Sequence, residues 1–322
     1  MNELEFIKLV ERSLSTVAPH GEGIGDDCAL LPAGPGRVMA VTTDMLAEGV
    51  HFRLSTAPPH AIGWKALAVN LSDVASMGLP PVASFMAVAR PEGLSDSWYE
   101  EFLSGYRELS MRFGVPLMGG DTTSSKSGLT VCVTAIGQGE TGHVKRRSAA
   151  LCGDTVMVTG TLGDSAAGLS LLESGSTMFP ELSRAHLQPL PKVDEGVWLG
   201  SRAEVHAMTD ISDGVAEDLR QICEKSSVGA VVELGMLPLS EQLRAYCDGE
   251  GIDPVVPALC GGEDFGLLFT VETSKADSLI EEFGGRFGYA PCPVGLIVPG
   301  SGIEWLRGGE VTDEKFFGYI HP

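Results

Sequence analysis

Carboxylates in this chain gather where side chains are held in place rather than scattered in solvent. Asp26 and Asp27 follow Gly23-Ile24-Gly25, and Asp44 closes the apolar, β-branched stretch 38–44. Asp73 stands in the apolar segment 63–78, Asp121 follows Gly119-Gly120, Asp210 and Asp213 sit three apart, and Glu263 and Asp264 follow Gly261-Gly262. Any one of them reads equally well as a helix cap or an Asx turn. Asp213, ahead of the apolar stripe Val215, Leu219 and Ile222, reads as an N-cap. As a convergent set they need cations, because an unpaired buried carboxylate costs several kcal/mol at least. The chain has 22 Lys and Arg against 43 Asp and Glu, a net charge of −21. Hard divalent ions such as Mg²⁺ therefore suit the set better than arginines do, and Thr42, Thr43, Ser72 and Ser212 stand beside it as further oxygen donors.

Magnesium that keeps open positions bridges to substrate phosphates, so a nucleotide or another phosphoryl compound is the guest such a cleft implies. The turns at 23–27, 119–123 and 261–265 would let backbone amides approach phosphate oxygens. No GxxxxGK[ST], no GxGxxG after a strand and no HRD/DFG pair occurs, which argues against P-loop, Rossmann and protein-kinase folds. The glycine-rich stretch 159–169 lacks a lysine and reads as packing. The acidity excludes a nucleic-acid surface and disfavours an anionic membrane. With no basic-then-apolar leader and no long apolar run, the reading is cytoplasmic. Seven cysteines without a CxxC read as reduced, buried thiols, Cys28 among them.

These residues need elements to position them. The pattern predicts a helix over 3–14, a strand ending at Asp44, and a helix over 63–78 that is apolar on nearly every side and carries Asn70 and Asp73 on one face. A strand over 82–89, a surface helix with Trp98, Phe102, Tyr106, Leu109 and Phe113, and strands at 115–121 and 129–137 follow. A basic stretch at 142–154 interrupts this rhythm and puts a domain boundary at 147/148. The second half repeats the style, with a strand after 154, helices from about 165 and within 208–223, and strands near 229–234 and 294. The fold class is α/β (α+β) in two domains, 1–147 and 148–322.

The motifs GIGDDCALL, TTDMLAEGVHF, KALAVNLSDVASMG, PLMGGDTT, RRSAALCGD, TGTLGDSAAGL, DISDGVAEDL and GGEDFGLLFT, in that order, closely resemble the thiamine-monophosphate kinase family. That family lies in the superfamily of ATP-binding proteins related to aminoimidazole ribonucleotide synthetase. The match runs from about residue 5 to the C-terminus. The resemblance implies transfer of the γ-phosphoryl group of ATP to thiamine monophosphate, giving thiamine diphosphate, the last step of its biosynthesis. It also implies a homodimer whose N-terminal domains build a β-barrel together. Several Mg²⁺ ions would be held by Asp27, Thr42, Thr43, Asp44, Asp73, Asp121, Asp210 and Asp213. Gly120, Asp121, Arg147 and Ser212 would contact ATP, with Arg147 and Asp121 the catalytic pair, and His51, Glu263 and Tyr319 would contact the thiamine substrate. Of the acid pair, Asp27 is expected to be the direct metal ligand and Asp26 either a partner outside the ligand sphere or a turn former.

The chain departs from the family pattern at Gly266, where an acid is usual, and at the His321-Pro322 tail, which bears on Tyr319. Two rival readings stand beside the kinase. One is another synthetase of the superfamily, of selenophosphate or purine type. The other is a non-catalytic binder of divalent metal or nucleotide, with no use for Arg147 or an acceptor pocket.

Overall fold

The computed structural model describes residues 3–14 and 21–319; the His321-Pro322 tail lies outside them. In chain order the elements are α1 (Glu3–Leu14), β1 (Ala29–Pro32), β2 (Arg37–Ala47), α2 (Pro59–Ser76), β3 (Pro81–Arg90), α3 (Asp96–Phe113), β4 (Leu117–Ser124) and β5 (Thr130–Glu140). The second half holds β6 (Asp154–Val158), α4 (Asp164–Ser174), α5 (Pro180–Leu187), α6 (Val193–Gly200), β7 (Val205–Asp210), α7 (Val215–Ser226) and β8 (Gly229–Glu233). It ends with α8 (Glu241–Glu250), α9 (Val255–Cys260), β9 (Leu267–Glu272), α10 (Ala276–Phe287), β10 (Cys292–Val298), β11 (Gly302–Arg307) and β12 (Glu310–Val311).

Strands β1 to β5 form one mixed sheet in the order β1-β2-β5-β3-β4, with only β3 and β4 parallel among its neighbours. The alternating burial of β2 and β5 marks one covered face, on which α2 and α3 pack through Leu67, Leu71, Phe102 and Leu109. Strands β6 to β12 form a seven-stranded sheet, β12-β11-β8-β10-β6-β9-β7, with α7 and α9 contributing to one core and α6 and α10 to another.

Helix α2 lies between the two sheets, which explains an apolar surface on nearly every side: fifteen of its residues, Asn70 and Ser72 among them, are buried. It starts at Pro59, earlier than the pattern suggested, because proline is at home in a first helical turn. Its far end meets α6, where a Cβ on Gly196 would lie 2.2 Å from the Ala75 carbonyl oxygen.

Two local expectations are corrected. Asp44 is not at a strand end: β2 runs on to Ala47 because pairing with β5 continues from Asp44↔Val133 to Ala47↔Thr130. Asp213 is not the N-cap of α7. That position falls on Gly214, at φ 99°, whose conformation suits glycine. The thiol reading holds in part: Cys28, Cys223 and Cys247 are buried, whereas Cys152 is exposed, and all seven are free. No helix among the described residues is long and apolar enough to cross a membrane.

Candidate active site

The acids converge on one end of α2. Asp27, Asp73 and Asp210 each place a carboxylate oxygen within 4.8 Å of the other two. Each is held by a hydroxyl that donates to its Oδ2: Ser76 to Asp27, Thr42 to Asp73 and Ser72 to Asp210, all at 2.6 Å. Asn70 and Asp73 share a face as their spacing implies, and both address β2, for Asn70 Oδ1 accepts the Asp44 backbone N–H at 3.1 Å. Burial, reinforced by Asp44 and Asp210, pushes the Asp73 carboxyl far above the usual carboxylate range. Burial and then Asp27 push Asp210 to about 8. Asp210 Oδ1 is buried with no hydrogen-bond partner. An orphaned carboxyl oxygen among other carboxyl groups whose ionised forms repel one another fits a hard divalent cation, so the residues present suit magnesium.

One arginine does enter the cluster. Arg147 bonds Asp27 Oδ1 through Nη2, Thr209 Oγ1 through Nε at 3.1 Å and Gln221 through Nη1. Asp26 accepts the backbone N–H of Asp27 at 3.1 Å and of Arg147 at 3.2 Å, tying the Gly-Asp-Asp turn to the interdomain segment. Its carboxyl rises to about 6, by burial first and the Asp27 charge second. The neighbouring basic residues are spent on structure: Arg146 pairs with Glu22, and Lys145 donates to the carbonyls of Arg202 and Val205.

The strand register separates the remaining metal candidates. Thr42 and Asp44 face α2, whereas Thr43 lies on the open face, donating to the Val133 carbonyl at 3.1 Å. Asp121 pairs through Ala87 and Cys132 with Met45, so it shares that open face. Gly120 and Asp121 lie on the fully exposed edge strand β4, three strand spacings or about 14 Å from β2. Within one chain they do not join the cluster.

Beyond the acids, the Ile211-Ser212-Asp213 turn opens into a cavity of about 440 Å³. It is lined by His51, Glu263 and Tyr319 together with Ser212 and Asp213, and its walls include Leu46, Phe52, Ile62 and Leu169. His51 Nδ1 accepts the Ala47 N–H at 3.0 Å, which puts the ring proton on Nε2. The Gly261–Gly262 turn runs against the 211–213 segment, with Glu263 N–H donating to Ser212 and Phe265 N–H to Ile211. Glu263 and Phe265 hold left-handed backbones at φ 65° and 48°, an arrangement that costs on the order of 1–3 kcal/mol each and clusters at functional sites. The C-terminal segment docks through Tyr319 N–H to the Asp213 carbonyl at 2.9 Å. Asp264 serves α4 instead, accepting the N–H groups of Gly163 and Ser165, so those amides at 159–169 are engaged by the protein itself.

Sequence reasoning assigned no role to Lys65, His186 or Asp218. Asp218 left a signal: it occupies the i+3 place of the stripe Val215, Leu219 and Ile222, a buried position on α7. Its Oδ2 has no hydrogen-bond partner. Lys65 and His186 reach the cavity from α2 and α5, and nothing in their local sequence distinguishes them.

Residues 25–138 match the family described as AIR synthase related protein, N-terminal domain, and residues 152–304 match the corresponding C-terminal domain. The thiamine-monophosphate kinase of Escherichia coli (strain K12) is 35% identical over 304 residues, covering 93% of this chain and 91% of that one. The chain belongs to the thiamine-monophosphate kinase family. Its counterpart in Bacillus subtilis (strain 168) is 39% identical over 289 residues, 88% of this chain and 87% of that one. The solved structure of AaThiL complexed with AMPPCP and TMP superimposes with a TM-score of 0.85 at 31% identity, covering 99% of this chain and 97% of that one. These matches bear out the resemblance and the two-domain AIR synthase-like α/β fold on mixed sheets. They favour neither the other synthetases nor a non-catalytic binder.

Proposed function

We propose that this chain is a thiamine-phosphate kinase that transfers the γ-phosphoryl group of ATP directly, in line, to the phosphate of thiamine monophosphate. The observation that carries this reading is the junction of a three-carboxylate basin with an apolar-walled cavity containing His51, Glu263 and Tyr319. The family's relatives carry the kinase name, and AaThiL was solved with AMPPCP and TMP. The basin suits the phosphates and the cavity the thiamine rings.

Asp27, Thr42, Asp44, Asp73, Asp210 and Asp213 are the residues of this chain that would hold several Mg²⁺ ions. Bound there, magnesium supplies the positive charge that lets a protein of net charge −21 accept two polyanions. Arg147, anchored by Asp27 and Thr209, keeps N–H donors on its terminal nitrogens for the transferred phosphoryl group. Ser212 reaches the same junction. The acceptor phosphate has a second pKa near 6 and is largely ionised at neutral pH, so catalysis rests on positioning and charge rather than on a general base.

The working unit is a homodimer, and the open sheet face supports it. Strand β1 covers β2 only over Val38 to Val41, leaving the stretch from Thr42 to Ala47 without an outer strand among the described residues. Exposed Met45, Phe85 and Met118 lie on the same sheet. A partner's β4 laid along β2 would close a barrel and bring its Gly120 and Asp121 beside Thr43 and Asp44. The domain division at 147/148, where the polypeptide crosses between sheets, and a cytoplasmic location, which suits seven free thiols, belong to the same reading.

Incubated with ATP, Mg²⁺ and thiamine monophosphate, the purified protein should form thiamine diphosphate and ADP in equal amounts, and EDTA should abolish the reaction. Free phosphate without the diphosphate would sink the kinase reading.

A further inference from the structure

Lys65 is the unexplained charge of the cavity. It is a lysine with 4% exposure on the buried helix α2, and its ammonium donates to Glu263 Oε2 at 2.9 Å. His186 Nδ1 lies 3.2 Å from the same oxygen and 3.1 Å from Ser165 Oγ. Both partners converge on Oε2. No described residue donates a hydrogen bond to Oε1.

A carboxylate at the edge of an apolar cavity is poor at recognition if it rotates or takes up a proton. Glu263 meets both hazards: its side chain, 29% accessible, has room to rotate, and burial favours its protonated form. Lys65 counters both. A charge-assisted bond from a helix that cannot move fixes one oxygen, and the ammonium opposes protonation of the other. Burial pushes the Glu263 carboxyl up, but Lys65 and then His186 outweigh it and hold the group below its ordinary value.

We propose that Lys65 is a positioning residue for substrate recognition, locking Glu263 through Oε2 so that Oε1 is presented as an ionised acceptor to the cationic, amino-bearing rings of the thiamine substrate. The inference rests on the kinase reading and deepens it. The hydrogen bond and ion pair of Lys65 both go to Glu263, so its influence should fall on the substrate that Glu263 recognises.

The test is Lys65→Met, which keeps the stem and removes the charge, assayed beside Glu263→Gln and the double variant. Losing a hydrogen bond to a charged group is worth about 10- to 100-fold. K65M should raise KM for thiamine monophosphate by that factor while KM for ATP stays within about threefold. Its kcat/KM should recover as pH rises, because Glu263 without its ammonium ionises later; a merely structural lysine would leave the pH profile unchanged. In the E263Q background, K65M should add nothing. A wild-type KM in K65M, a shift confined to ATP, or an equal effect with and without Glu263 would overturn the inference. Should K65M alone fail to fold, the double variant leaves no lone buried charge, and a KM equal to that of E263Q supports the proposal whereas a further rise rejects it. If the wild-type chain makes no thiamine diphosphate, the kinase reading itself falls; if it does and K65M behaves as wild type, only the role of Lys65 falls.

Discussion

At the scale of single residues, the site is built from groups that folding alone would not choose. Asp73 has its carboxyl driven upward by burial and three neighbouring acids, so its charge opposes folding near neutral pH and does so less as pH falls. Replacing it with Asn keeps an oxygen for the Thr42 hydroxyl and removes the charge. Asp73→Asn should therefore melt a few degrees higher than wild type in EDTA, and Asp44→Asn should remain folded. Each should lose on the order of 100-fold or more in kcat/KM. Unfolding of either variant would make these acids structural. His186 gives a contrasting pH signature. Burial first and Lys65 second lower its pKa from 6.5 to about 4, with Glu263 and Glu173 pulling the other way. Between those values the unfolded chain holds a proton that the folded chain refuses, so this contribution is complete above about pH 6.5 and is lost as pH falls toward 4. The shift corresponds to about 3 kcal/mol at most. Asp26, with its carboxyl raised to about 6, acts with the opposite sign, so the comparison must be between variants. As pH falls from 7 to 4.5 the melting temperature of wild type should therefore drop relative to that of His186→Asn.

At the scale of elements, α2 does most of the positioning. Through Asn70, Ser72, Asp73 and Ser76 it addresses β2, β7 and the Asp27 turn, and through Lys65 it reaches the cavity. Its placement depends on close contact with α6. Because a Cβ on Gly196 would fall 2.2 Å from backbone, with no flexible atom to yield, Gly196→Ala should push the helices apart. A destabilisation of about 1–3 kcal/mol is expected, read as a lower denaturation midpoint, with a loss of activity beyond the loss of folded protein. An unchanged midpoint would mean that the two domains slide freely past each other.

At the scale of the whole molecule, the distance of about 14 Å between β2 and β4 is the decisive quantity. If Asp44 and Asp121 serve one reaction, they must come from different copies. Asp44→Asn and Asp121→Asn chains, each inactive alone, should regain about one quarter of wild-type activity when unfolded together and refolded, since half the dimers are mixed and half their sites intact. Co-refolded chains that stay inactive would place the two acids in unrelated roles. Sedimentation of the wild-type chain should give twice the monomer mass.

The spacing of the motifs made much of this legible beforehand. Helix α2, its Asn70 and Asp73 face and a strand through 38–44 followed from residue type and spacing, which are local properties of a chain. So did the placement of acids after paired glycines. Which acids meet was decided only by tertiary structure, because a carboxylate's partners come from elements 31 to 198 residues away, as for Thr42 with Asp73 and Lys65 with Glu263. Register sent Thr43 and Asp121 to the open face while Thr42 and Asp44 turned to α2, since one residue along a strand reverses the side chain. Lys65 and His186 were invisible for the same reason: a lysine on a helix and a histidine on another carry no sign of the glutamate that folding sets between them.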